Sequence, residues 1–98
     1  MTRPTVSSDH NNYLRDLRDL MQEAVKQTQR FDAKWNRLND ELKTKFLAEG
    51  VREPQLTELM NANLEFTGAL AAGNWWRDKA TYLANVIQAE IAMRREGL

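Results

Sequence analysis

The side chains that could act on a substrate are few in this sequence, and they do not converge. A general base or a metal ligand needs fixed geometry and partners, yet the single histidine, His10, lies beside the N-terminus. The only serines, Ser7 and Ser8, fall in the same stretch, so a Ser–His pair would have to be built from a chain end. The carboxylates are scattered. The paired Glu-x-x-His arrangement of di-iron bundles cannot be completed, because there is no second histidine. Without cysteine there is no thiolate nucleophile, disulfide framework or thiolate metal site. The four glycines, at 50, 68, 73 and 97, form no phosphate-cradling loop. These residues lead us to expect no catalysis, no metal, no cofactor and no small-molecule substrate.

Charge narrows the partners. Fourteen basic residues balance 14 acidic ones. The balance is also local, with nine basic and eight acidic residues in 1–50 and five against six in 51–98. A nucleic-acid binder concentrates basic charge on one face, and a membrane-surface helix carries a Lys/Arg-rich polar face. Neither pattern is present, nor is a run of about 18 apolar residues that could span a bilayer. The start, Met-Thr-Arg-Pro-Thr-Val-Ser-Ser, lacks the apolar core of a signal peptide. A soluble, cytoplasmic protein with neither nucleic acid nor membrane as partner is expected.

The elements themselves are easier to read. Residues 1–7 suggest a flexible tail. Ser7, Ser8 and Asp9 offer helix N-cap chemistry, because a short side-chain oxygen accepts from the free N–H groups of a first turn. From there Leu14, Leu17, Met21, Ala24, Thr28, Phe31, Trp35, Leu38 and Leu42 alternate spacings of 3 and 4. That is an a/d heptad seam with one polar interruption, Thr28. Leu20 and Val25 widen the stripe in its first half, which suits contact with more than one neighbouring helix. Gly50 stands where a left-handed residue ends a helix, Val51 can make the accompanying apolar contact, and Pro54 suits the first turn of the next helix. The first helix is therefore expected over 8–49 and the turn over 50–53.

The second half starts with Leu56, Leu59, Met60, Phe66 and Leu70 at helical spacing. A stretch of small residues follows, and then a new stripe of Trp76, Ala80, Leu83, Ile87 and Ile91, flanked by Trp75, Tyr82, Val86 and Met93. Counted by their large apolar residues, the two stripes differ in phase. Gly73-Asn74 is then either a break between helices 54–72 and 74–96 or a bend in one long helix. The spacing of Gly68, Ala69, Ala72 and Gly73 would also let another helix backbone come close, but the bend is the preferred reading of these glycines. Consecutive helical residues point about 100° apart, so Trp75 and Trp76 cannot both centre on one narrow stripe. One of them is free to face a neighbouring chain, where Trp is a favoured anchor.

In length and hairpin outline the chain resembles the small secreted Trp-X-Gly helical-hairpin proteins, which form paired four-helix dimers. It departs from them where their motif belongs: the central turn reads Glu49-Gly50-Val51-Arg52-Glu53-Pro54, and Tyr82 is followed four residues later by Val86 rather than an acidic residue. The chain is not placed in that family.

The expected fold is all-α: residues 8–98 as a single domain, a long antiparallel, coiled-coil-like hairpin, with or without a kink near Gly73, packing into an oligomeric bundle. The candidate interface residues are Leu14, Leu17, Met21, Phe31, Trp35, Leu38, Leu42, Trp75, Trp76, Tyr82, Ile87 and Ile91. The expected role is a non-catalytic protein–protein interaction or assembly module whose partner is itself or another helical protein. The alternatives are an accessory subunit of a larger complex, such as a virion structural protein or an inhibitor of a host protein, and a nucleic-acid regulator reading through 74–96.

Overall fold

The computed structural model of the chain describes residues 6–96. Its elements are three α-helices: α1 (Val6–Ala48), α2 (Gln55–Ala62) and α3 (Leu64–Glu96). The bridges Asn11–Arg94, Asp32–Arg77 and Lys34–Glu65 run in opposite order along α1 and α3, so the two long helices are antiparallel. The result is a rod of 75 × 23 × 15 Å. Its radius of gyration is 21.2 Å, against about 13 Å for a compact domain of this length.

α1 already includes Val6 and Ser7, which the tail was expected to contain; residues 1–5 lie outside the described residues. Ser7, Ser8 and Asp9 therefore sit inside the first turns instead of preceding them. The side chain of His10 lies outside the described residues. Nothing between Val6 and Asp9 blocks a helix, and the nearest residue that does is Pro4.

The far end of α1 closes as its sequence requires. Gly50 has φ +88°, a conformation that costs an L side chain about 1–2 kcal/mol. With it in place, the Val51 N–H donates to the Phe46 carbonyl at 2.9 Å and the Gly50 N–H to the Leu47 carbonyl at 3.0 Å. These are the two bonds of a Schellman motif. Val51 and Phe46 both pack on the same core cluster, supplying the apolar contact. Pro54 caps α2 instead of opening it, and the helix starts at Gln55.

The interruption in the second half falls at Asn63, and α3 runs unbroken through Gly73 and Asn74. Asn63 has an extended backbone, φ −77° and ψ 112°. It serves both helices at once. Its N–H donates to Met60 O at 3.1 Å, ending α2, while its side-chain Oδ1 accepts from the Phe66 N–H at 3.0 Å, capping α3. The break also changes which residues face inward. Continued at the phase of α3, the seam would present Ala62 and Leu59. With the extended residue between them, α2 instead buries Leu56 and Met60 and leaves Leu59 exposed. Replacing Asn63 with Ala removes the cap and favours the wrong phase. We expect a loss of about 1 kcal/mol, seen as a lower thermal midpoint; an unchanged midpoint would remove Asn63 as the cause of the break.

Gly73 has a different task from the bend expected of it. A Cβ there would lie 3.0 Å from Asp32 Oδ1 and 3.6 Å from Phe31 Cβ. The residue is buried directly against Phe31 and Asp32 of α1. Counting it as a seam position dissolves the apparent phase change: Phe66, Ala69, Gly73, Trp76, Ala80, Leu83 and Ile87 form one 3,4 series, each buried or half-buried.

This narrow waist separates two core clusters. One gathers Leu14, Leu17, Ala24, Leu83 and Ile87. The other, beside the turn, gathers Leu38, Leu56, Met60 and Phe66. Trp35 stacks on Phe66 there, with ring centroids 5.3 Å apart. Its indole Nε1 is buried and finds no hydrogen-bond partner among the described residues, a cost the stacking and burial must offset.

Candidate protein-interaction surface

All nine α1 seam positions, from Leu14 to Leu42, are buried or half-buried. They are occupied inside the hairpin, as are Trp76, Ile87 and Ile91, which pack in the cluster at the open end. Of the twelve candidate interface residues only Trp75 and Tyr82 remain largely exposed, at 57% and 62%. The adjacent tryptophans thus divide as helical geometry requires. Trp76 faces the core, while Trp75 stands outside it, edge-on to Trp76 at 4.8 Å and with Lys79 Nζ 5.7 Å from its ring centroid.

The ion pairs identify the two flanks of the rod. On one side Asp32 meets Arg77 at 2.6 Å, and Arg77 also donates to Asn74 Oδ1 at 2.8 Å. On the other, Lys34 meets Glu65 at 3.5 Å. Both pairs are about half exposed, so each contributes at most about 1 kcal/mol and serves more to fix register than to stabilise.

Stepping by seven residues from each pair shows what else lies on its flank, because a heptad returns to the same face. The Asp32–Arg77 flank carries Arg18, Val25 and Asn39 from α1, and Leu70, Ala84 and Ile91 from α3. A shallow groove of about 360 Å³ opens there, lined by Met21, Ile87 and Ile91 together with Arg18, Gln22 and Gln88. Two amides and a guanidinium offer no nucleophile and no acid–base pair. Among the described residues, no three His, Cys, Asp or Glu side chains come together as a metal site.

The Lys34–Glu65 flank carries Tyr13, Leu20, Gln27 and Glu41 from α1, and Ala72, Lys79, Val86 and Met93 from α3. Beside that α3 row runs a second one, Gly68, Trp75, Tyr82 and Ala89, also spaced by seven. Interleaved, the two rows give Gly68, Ala72, Trp75, Lys79, Tyr82, Val86, Ala89 and Met93, again alternating 4 and 3. α3 therefore has two seams: one packs on α1, and the other turns outward, with only Ala72 and Val86 half-buried and Val86 packed on the open-end cluster. Lys79 is its sole charge. Met93 and Leu20 are exposed at 63% and 57%. The spacing is visible in the sequence, where Trp75 and Tyr82 stand among the candidate interface residues and Val86 and Met93 only as flanks of the inner stripe.

No protein-family model, curated protein or solved structure matches this chain. No described helix is long and apolar enough to cross a membrane.

Proposed function

We propose that this chain is a non-catalytic helical assembly module that binds protein through the outer seam of α3, its own copies being the first partner. The observation behind this reading is the seam itself, with Trp75, Tyr82 and Met93 exposed in one continuous apolar strip. Aromatic side chains dominate interface energetics when buried, and a strip bordered by polar residues is the usual mark of a docking face.

Surface area supports the same reading. The chain exposes 7396 Å², whereas a compact monomer of its mass exposes about 5,800 Å². The difference, on the order of 1,600 Å², leaves room for a standard interface of about 800 Å² per partner. A reducing, cytoplasmic setting belongs to this reading, and a chain without cysteine is compatible with it.

The test is the molar mass by light scattering on a sizing column, over a tenfold concentration range. We expect a dimer or tetramer of the 11.4 kDa chain, and a monomer of unchanged helicity when Trp75 and Tyr82 are both replaced by Ala. A native chain that stays a well-behaved monomer throughout would refute self-assembly. Aggregation in place of a defined oligomer would assign the strip to a different protein, as in an accessory subunit of a larger complex.

A further inference from the structure

Resting on that reading of the outer seam, we infer that its occupant is the same seam of a second copy, laid antiparallel across a twofold axis near residues 80 and 81. An isologous interface needs a surface that complements itself, and this strip does so in one register. There, Gly68 faces the partner's Met93, Ala72 the partner's Ala89, Trp75 the partner's Val86, and Lys79 the partner's Tyr82. Met93 fills the gap that Gly68 leaves, Trp75 meets a smaller Val, and Lys79 lies against an aromatic ring, a complementarity that close packing requires.

The neighbouring registers do worse. Sliding one copy by seven residues in one direction sets Trp75 against the partner's Met93 and leaves Gly68 and Ala72 facing nothing. Sliding it the other way strands Ala89 and Met93 and points Trp75 at the partner's Lys79. Only the middle register covers all eight positions of the strip.

Charge decides the orientation. In a parallel in-register pair, Lys79 would meet the partner's Lys79 inside an apolar seam, and like charges so placed are penalised. The antiparallel pair gives each Lys79 an aromatic ring instead. Lys79 already rests 5.7 Å from the Trp75 ring centroid in the single chain, and cation–π contacts strengthen as water is excluded. Leu20 and Tyr13 of α1, on the same flank, widen the covered face. The product is a four-helix assembly with the two copies of α3 at its centre.

The native sequence has no cysteine, so single cysteines report the geometry cleanly. A short bis-maleimide should join Lys79→Cys chains to one another, because this position lies next to the axis. It should not join Met93→Cys chains, whose two thiols would stand about 37 Å apart along the helices. An equimolar mixture of Gly68→Cys and Met93→Cys should cross-link between the two variants. Efficient self-cross-linking of Met93→Cys in a protein still dimeric by light scattering would overturn the antiparallel pairing while leaving assembly intact. A dimer giving none of these links would place the interface elsewhere, which also overturns it. A monomeric mass would remove both this inference and the assembly reading.

Discussion

Replacing Leu83 with Ala lowers the stability of the folded chain by about 2–4 kcal/mol, and the thermal midpoint falls by about 10 °C or more. Leu83 is buried to 6% exposure in the cluster with Leu14, Leu17, Ala24 and Ile87. Truncation removes both its transfer energy and the contacts its neighbours made with it. In a rod only 15 Å across its thinnest axis, solvent lies close to every layer, so part of the cavity can refill and the upper end of the usual range is not reached. The loss is still large against the roughly 5–15 kcal/mol that holds a domain folded. Chemical denaturation followed by circular dichroism measures it, and a change below about 1 kcal/mol would mean the open end of the hairpin is not packed around Leu83.

That variant also separates the two seams of α3. A core truncation weakens each chain by itself, so its effect persists at every protein concentration. On the assembly reading proposed above, changing Tyr82 removes contacts made between chains, and association raises stability by mass action. Its effect should therefore shrink on dilution until native and variant melt together. On that reading one helix serves folding with its Leu83 face and assembly with its Tyr82 face, in keeping with the few charges α3 carries between Leu70 and Val86.

Some of this was legible in the spacing of residues, and some was not. The inner seam of α1 could be read position by position because its members are mostly large, and an amphipathic helix declares its buried face through them. The stop at Gly50 was legible because a Gly followed by an apolar residue at a helix end marks the left-handed turn that brings Val51 back to Phe46. The seam of α3 was misread at Gly73 because a stripe judged by large side chains omits the residues that make room for a neighbour. Ala69 and Gly73 contribute to packing by being small. Asn63 was overlooked for the opposite reason: its cap depends on one side-chain oxygen reaching Phe66, which no periodicity reveals. The pairing of Asp32 with Arg77 joins residues far apart in sequence, and spacing along a helix cannot set the register between two helices.

The waist at Gly73 yields the sharpest test of that correction. Gly73→Ala should leave stability nearly unchanged, because two modest effects oppose each other. Ala gains up to about 1 kcal/mol of helix propensity over Gly. Against this, its Cβ, 3.0 Å from Asp32 Oδ1, must displace the carboxylate that holds Arg77, a surface pair of at most about 1 kcal/mol. Gly73→Leu has no such balance. Its further carbons would have to enter space bounded by Phe31 Cβ and the Asp32 backbone N, 3.6 and 4.0 Å from the new Cβ. Neither can step aside without moving α1, and overpacking of this kind costs about 1–3 kcal/mol. The added strain should be felt on both sides, since the waist lies between the two clusters and prising it open loosens each. Urea denaturation of the two variants distinguishes the roles of the glycine. A bend that required glycine's freedom would penalise Ala as well as Leu, whereas a close helix crossing tolerates Ala and rejects Leu.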